Sequence, residues 1–168
     1  YPLRRQRQMC IRDSCNYLLL KYFISLQMKN FLKKNILLCV TGGIAAYKSA
    51  ELTRLFKKEG ADVRIVMTES AKEFITPLTL QAVSGNQIHD SLLDEKAEAA
   101  MGHIELAKWA DIILIAPCTA DSLSKITHGR ADDLMGALIL ATKASIFIAP
   151  AMNTVSYTHL TLPTKRIV

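Results

Sequence analysis

Two short apolar runs, each followed at once by a polar turn that contains proline, constrain the fold more than any other feature. Residues 112–115 run into the sequence APCTAD, and residues 145–148 run into APAMN. Continuous β-branched runs are typical of strands buried in a parallel sheet, and ligands bind at the carboxyl ends of such strands. A third run, at 35–40, ends in a pair of glycines. We therefore expect one site built from several loops at one edge of a sheet.

Strand-like and helix-like patterns alternate along the centre of the chain. Apolar or alternating strand patterns occupy 35–40, 62–67, 112–115 and 145–149, and 87–93 is ambiguous. Helical periodicity occupies 44–59, 68–74, 76–83, 104–110, 121–127 and 132–142. Strands that alternate with helices predict a parallel sheet covered on both faces. The expected fold class is α/β: a doubly wound, flavodoxin- or Rossmann-like three-layer sandwich.

The net charge lies outside the part of the chain that carries this pattern. The formal charge is +6, yet basic and acidic residues are equal in number from 28 to 154. Binding of a polyanion needs clustered positive charge on the domain itself, so we expect no nucleic-acid partner. Residues 1–27 and 155–168 do not share the periodicity, and we expect both to be non-native flanks of one domain at 28–154. The apolar stretch at 15–27 is too short to span a membrane.

Cysteine usage favours a reducing compartment, and hence a cytoplasmic protein. Of the four cysteines, Cys10 and Cys15 fall in a flank, Cys39 in a strand run, and Cys118 directly after one. Neither a metal-ligand spacing nor a disulfide framework remains, so we expect no metal. Cys118 is interpreted as a packed small residue rather than a nucleophile, because nothing nearby in sequence favours its thiolate.

The turn after the first strand is a candidate phosphate loop. Gly42 and Gly43 let the backbone approach a phosphate, and the helix that follows offers free N–H groups. The turn matches neither G-x-G-x-x-G nor a Walker loop, so an ordinary tight turn is an equal alternative. Thr68 and Ser70, after the second strand, either add hydroxyl donors to the same phosphate or cap the next helix.

Three further groups of side chains have both a functional and a structural interpretation. A lone histidine such as His103 is more often structural than catalytic. Asn153, after the last strand, either holds a substrate carboxylate or satisfies backbone groups. Asp132 and Asp133 are explained by helix capping alone. The residues by themselves leave these alternatives open.

Five segments of the central region resemble the flavin-dependent cysteine decarboxylases. They read TGGIAAYKSAEL, VMTESAKEFITPLTLQAVSG, SLLDEKAEAAMGHIELAKWAD, IAPCTADSLSKITHGRADDL and IAPAMN. The likeness covers about residues 34–153, and GHI together with PAMN at this spacing is highly specific. It implies FMN-dependent decarboxylation of 4'-phosphopantothenoylcysteine to 4'-phosphopantetheine in coenzyme A biosynthesis. It also implies a homotrimer with FMN between subunits, and a fused or separate phosphopantothenate–cysteine ligase as partner.

The resemblance also implies a role for individual residues. His103 corresponds to the catalytic base, presented from a neighbouring subunit, and Asn153 to the residue that holds the substrate carboxylate. The implied FMN-binding residues are Gly42, Gly43, Ile44, Ala45, Thr68, Ser70, Thr119, Ala120, Asp121 and Ser122, and the implied substrate-binding residues are Ala151, Met152 and Asn153. The family often has Asn where this chain has Asp121.

The implied chemistry gives the departing carboxylate an electron sink. Oxidation of the cysteine thiol to a thioaldehyde, with FMN as hydride acceptor, lets CO2 leave as an enethiolate forms, and protonation of the enethiolate followed by return of the hydride gives the product. The family's later A-C-G-x-x-G-x-G loop and ligase half have no match after Asn153. We therefore expect this chain alone to be inactive. The alternatives within the same fold are a flavin prenyltransferase, whose first loop usually reads TGASG, and a non-catalytic regulatory subunit.

Overall fold

The computed structural model describes residues 33–91 and 102–153. Its five strands are β1 (Asn35–Val40), β2 (Asp62–Met67), β3 (Ile88–His89), β4 (Ile112–Cys118) and β5 (Ser145–Pro150). Its α-helices are α1 (Lys48–Lys58), α2 (Pro77–Ser84), α3 (His103–Trp109), α4 (Ala120–Thr127) and α5 (Leu134–Ala141). Short 3-10 helices at Ile44–Tyr47 and Glu69–Ala71 follow β1 and β2.

All the strand pairings are parallel, in the order β3-β2-β1-β4-β5. The chain builds outward from β1 to β3 and then returns to the other side of β1 for β4 and β5. The strand order therefore reverses between β1 and β4, and such a switch point opens a crevice at the carboxyl ends of the two strands. The predicted doubly wound α/β fold is confirmed.

The core has two layers because neighbouring residues of a strand point to opposite faces of the sheet. In β1, Ile36, Leu38 and Val40 pack with the layer that contains α1 and α2, through residues such as Phe56 and Leu80. Leu37 and Cys39 pack on the other face with α3 and α5, through residues such as Leu106 and Leu138. Burying each such leucine or isoleucine contributes roughly 1.5–3 kcal/mol, which holds the carboxyl edge of the sheet in place.

Two strand predictions need correction. β4 does not end at 115: it continues through Pro117 to Cys118, which pairs with Pro150 after a register irregularity that begins at Ile115. Proline has no N–H for a ladder, and such an irregularity is a position that tolerates it. β5 was predicted to be buried, but among the described strands it lies at the sheet edge, where Ile146, Phe147 and Ile148 are 39–41% exposed.

The helix predicted at 68–74 is also wrong, since only the 3-10 turn Glu69–Ala71 forms there. The backbone N–H groups of Phe74 and Ile75 both bond to the carbonyl of Ala71, which closes the turn. Thr76 is then extended, as the residue before a proline prefers, and its hydroxyl caps α2 by accepting from the N–H of Thr79. Similarly, the segment predicted as one helix at 44–59 begins as a 3-10 helix before α1.

Several expectations fall outside the described residues. These are the non-native character of the flanks at 1–27 and 155–168, and part of the ambiguous segment 87–93. Within the described part, no helix is long and apolar enough to cross a membrane. The longest, α1, has 11 residues, whereas a membrane span needs about 20.

Candidate functional site

A cavity of about 280 Å³ opens at the carboxyl ends of β1, β4 and β5. Three separate loops line it, contributing Gly42, Gly43, Ile44, Ala45, Thr119, Ala120, Ala151, Met152 and Asn153. Two of these loops follow β1 and β4, so the cavity lies at the switch point of the sheet. The expectation that several strand-end loops build one site is met in the described part of the chain.

The loop after β1 is tight because it packs on the turn that follows β2. A Cβ atom added to Gly42 would lie 2.5 Å from the Cβ of Ser70, so no other residue fits there without a backbone shift. Gly43 is extended, and a Cβ there would make ordinary contact with Thr119 at 3.6 Å. In the 3-10 helix that begins at Ile44, the N–H of Ala46 bonds to the carbonyl of Gly43 at 2.9 Å, and the N–H groups of Ile44 and Ala45 precede this first bond and are the donors that suit an anion.

Thr119 organises the loop after β4. Its hydroxyl accepts from the N–H of Ser122 at 3.3 Å and lies 3.0 Å from the Ser122 hydroxyl, so it caps α4. Ser122 is buried beneath the turn, whereas the Asp121 side chain is 78% exposed and pairs with Lys125 at 3.6 Å. Of the four residues predicted here, Thr119 and Ala120 line the cavity, and Asp121 and Ser122 do not.

Ser70 contacts the glycine loop, whereas Thr68 faces a different cavity. The Thr68 hydroxyl lies 3.3 Å from the Ser70 hydroxyl, and neither residue lines the first cavity. Thr68 lines a second cavity of about 200 Å³, with Glu69, Asp90 and Asp133 among its other residues. The alternative that Thr68 and Ser70 cap a helix finds no support, since the turn after Thr68 has no side-chain capping hydrogen bond.

The two predicted catalytic residues occupy different places. Asn153 lines the first cavity, next to Ala151 and Met152, and the N–H of Ala151 anchors this segment to the carbonyl of Cys118 at 2.9 Å. His103 is half-buried at the start of α3 and does not line the cavity. Because α3 leads back to the amino end of β4, its first residue lies towards the carboxyl edge of the sheet.

Sequence reasoning missed Thr41, which follows β1 directly. The side chain is completely buried, its hydroxyl donates to the carbonyl of Pro117 at 2.7 Å, and the hydroxyl oxygen accepts from the N–H of Thr119 at 3.2 Å. The signal in the sequence is a hydroxyl residue at the end of a buried apolar run, where a strand would otherwise continue.

The described cysteines are unsuited to nucleophilic chemistry. Burial raises the pKa of Cys118 from 9.0 to about 11. Burial, with smaller contributions from Asp133 and Cys118, raises the pKa of Cys39 from 9.0 to about 12. Both thiols are therefore protonated near neutral pH, and Cys118 packs in the core beneath α5, as its interpretation as a small packed residue predicts.

Asp133 caps α5, as expected from its position before an apolar helix. Its carboxylate accepts from the N–H of Gly136 at 2.7 Å and pairs with Lys125 at 3.2 Å. Asp132 pairs with Arg130 at 2.7 Å. Among residues 33–91 and 102–153, no group of three or more His, Cys, Asp or Glu side chains is arranged to hold a metal ion.

The chain is similar to a known protein family and to curated proteins. The chain matches the family model described as Flavoprotein over residues 24–164. The coenzyme A biosynthesis bifunctional protein CoaBC of Vibrio vulnificus (strain YJ016) is 57% identical over 133 residues, which cover 79% of this chain and 33% of the relative. The chain thus spans about a third of the length of the curated relatives that it matches.

Two solved structures share the fold at useful sequence identity. An FMN-dependent cysteine decarboxylase, SpaF, superposes with a TM-score of 0.70 at 30% identity, over 76% of this chain and 74% of that one. A mutant PPC decarboxylase complexed with pantothenoylaminoethenethiol superposes with a TM-score of 0.63 at 34% identity, over 74% of this chain and 70% of that one.

Proposed function

The chain belongs to the flavoprotein family, and from this premise we propose that its strand-end cavity binds FMN for the decarboxylation of 4'-phosphopantothenoylcysteine to 4'-phosphopantetheine. The observation that carries the proposal is the convergence of three loops, 42–45, 119–120 and 151–153, on one cavity at the switch point of the sheet. Relatives named for coenzyme A biosynthesis, and a neighbour that holds pantothenoylaminoethenethiol, support the same substrate class.

The loop after β1 fits the phosphate of FMN. Gly42 keeps the backbone flush against Ser70, since a Cβ would collide there at 2.5 Å. The N–H groups of Ile44 and Ala45 then offer donors to a dianion, and the Ser70 hydroxyl lies against the loop at Gly42. We assign the phosphate to this loop, and further cofactor contacts to Thr119 and Ala120, which line the cavity.

Each of the proposed catalytic side chains has one task. FMN supplies the electron sink that an unactivated carboxylate needs before CO2 leaves. The imidazole of His103 accepts a proton from the substrate, because a neutral imidazole carries a ring nitrogen whose lone pair serves as a general base. The amide of Asn153 donates a hydrogen bond to the substrate carboxylate without giving up a proton, and Ala151 and Met152 flank it. The apolar lining near Met152 excludes water from the reacting carboxylate.

We propose a homotrimer in which each cavity receives His103 from a neighbouring subunit. This arrangement accounts for a base that lies outside the cavity of its own chain. We also propose that the protein acts in the cytoplasm with a phosphopantothenate–cysteine ligase, fused or separate. The bifunctional relatives, which are about three times as long as the matched region, support a fusion.

The test separates cofactor binding from turnover. The purified chain is titrated with FMN, and flavin fluorescence and absorption report binding. Turnover is measured in a chimera in which this chain replaces the matching region of the Vibrio vulnificus relative, with mass spectrometry of 4'-phosphopantothenoylcysteine before and after incubation. Loss of the mass of CO2 from the substrate is the expected result. A prenylated flavin formed when FMN is incubated with a prenyl phosphate would instead favour the prenyltransferase alternative, and unchanged substrate with bound FMN would favour the regulatory one.

A further inference from the structure

We propose that Thr41 is a positioning residue that holds the two halves of the flavin cavity in register, an inference that rests on the proposed function. One half is the loop after β1, and the other is the turn from Thr119 that caps α4. The Thr41 hydroxyl is the polar side-chain link between them: it donates to the carbonyl of Pro117 and accepts from the N–H of Thr119.

The position of Thr41 explains why a link is needed there. The backbone pairing of β1 with β4 ends at Cys39 and Ile115, one residue before β1 itself ends at Val40. Two residues later the Thr41 hydroxyl takes the place of the missing ladder. It uses its donor and one acceptor lone pair at once, and its partners are backbone atoms at the end of β4 and in the turn that follows it.

Packing alone does not account for this residue. The side chain is 0% exposed, and valine would fill the same volume with an apolar group. Valine would, however, leave the N–H of Thr119 and the carbonyl of Pro117 without this partner inside the protein, which is costly. Thr119 is also the residue whose hydroxyl caps α4 and lines the cavity, so a shift of its backbone moves a wall of the site.

We expect the loss of this link to weaken FMN binding more than it lowers the stability of the fold. With the link in place, the two loops are already arranged around the cofactor before it binds. Without it, binding has to order them, and that ordering cost appears as weaker affinity. The flavin spectrum also changes, since Thr119 and the glycine loop contribute the polar surroundings of the cavity.

The experiment compares Thr41→Val, which removes the hydroxyl, with Thr41→Ser, which keeps it, in the full chain. Thr53→Val is the matched control, because Thr53 is also 0% exposed and its hydroxyl donates to one backbone carbonyl, that of Ser49, at 2.8 Å within α1. The dissociation constant for FMN and the visible absorption of bound flavin are measured, together with the melting temperature of each apo protein.

We expect Thr41→Val to weaken FMN binding by at least about tenfold and to alter the flavin absorption band, the usual scale for a buried partner left unsatisfied. Thr41→Ser and Thr53→Val should both stay near wild type in affinity and spectrum. The inference is overturned if Thr41→Val binds FMN like wild type, or if Thr53→Val weakens binding equally.

If Thr41→Val does not fold, Thr41→Cys replaces it, because a thiol is a poor hydrogen-bonding group of similar size to the serine hydroxyl. Equal affinity of the Ser and Cys variants would overturn the proposal. If the wild-type chain binds no FMN, both the proposed function and this inference are wrong. If the wild-type chain binds FMN and the Thr41 variants bind it equally well, only this inference is wrong.

Discussion

The backbone N–H of Ala151 donates to the carbonyl of Cys118 over 2.9 Å, although the two residues belong to different strand ends. This bond carries the chain from β5 across the end of β4 and brings Met152 and Asn153 to the cavity. The segment after β5 is therefore anchored through its backbone, which sets Ala151, Met152 and Asn153 in the lining of the cavity.

That relationship leads to a prediction for Asn153→Asp. Because the backbone anchor at Ala151 is unchanged, FMN should bind as before. A carboxylate at this position would repel the carboxylate of the substrate, so kcat/KM should fall by about tenfold or more, the scale of a hydrogen bond to a charged group. The measurement is turnover in the chimeric bifunctional protein, with flavin content as the control. An unchanged kcat/KM would mean that Asn153 does not contact the substrate carboxylate.

For His103→Asn, we expect a fall in turnover of about 10²-fold or more, which is typical of a lost general base. Asparagine keeps hydrogen-bonding capacity but has no basic nitrogen that accepts a proton. FMN content should be unchanged, because the proposed phosphate loop at 42–45 is left intact. Mixing this variant with Asn153→Asp subunits tests the shared site: partial recovery of activity supports a base supplied in trans, and a wild-type rate for His103→Asn alone makes His103 a structural residue.

Gly42→Asp should abolish binding of FMN. The new carboxylate would occupy the place proposed for the phosphate, and its Cβ would meet Ser70 at 2.5 Å. Gly42→Ala tests the steric part alone and should weaken binding without the charge effect. Flavin absorption of the purified proteins is the measurement, and circular dichroism shows whether each variant folds. A yellow Gly42→Asp protein would show that the phosphate lies elsewhere.

Gly136→Ala should destabilise the fold although alanine is the better helix former. The new Cβ would lie 2.3 Å from the carbonyl oxygen of Arg130, a backbone atom that has little freedom to move. Overpacking costs about 1–3 kcal/mol, which exceeds the gain of about 1 kcal/mol in helix propensity. Gly102→Ala is the control, because its Cβ would meet no atom within 4 Å. Equal midpoints of urea unfolding for the two variants would contradict this prediction.

The buried thiols should be inert in the native state and should limit stability in alkali. In a Cys10→Ser, Cys15→Ser background, a thiol reagent at pH 8 should react with Cys39 and Cys118 only after unfolding. Both folded pKa values, about 12 and about 11, exceed the unfolded value near 9. The neutral thiols therefore stabilise the fold below pH 9, and this contribution is lost as the pH rises towards 11. Replacing both cysteines by alanine should reduce this loss of stability at alkaline pH. Rapid labelling of the two thiols in the native protein would contradict their burial.

The sequence predicted the parts of this molecule that depend on local patterns. The alternation around β1 and β2, the stop after α1 and the cap at Asp133 follow from periodicity and side-chain chemistry within a few residues. The glycine loop was recognised from its residue types, and its expected place beside Ser70 agrees with the close contact that excludes a Cβ at Gly42.

What could not be predicted depends on contacts between distant segments. The extension of β4 to Cys118 requires pairing with Pro150, and no local rule favours a strand through proline. The role of Thr41 depends on a partner more than seventy residues away, which only the strand order reveals. The exposure of β5 is likewise a matter of sheet order, because its sequence is as apolar as that of a central strand.

The exposure of β5 affects how readily the protein aggregates. Among the described strands, β5 is the outermost on its side of the sheet, and Ile146, Phe147 and Ile148 are each about two-fifths exposed. Exposed apolar side chains on a strand of this kind favour aggregation, and natural proteins usually counter it with charge, proline or a covering segment. Yield and solubility should thus depend on protein concentration and ionic strength. We expect Phe147→Lys to improve both, because position 147 lies within β5 and outside the loops that line the cavity.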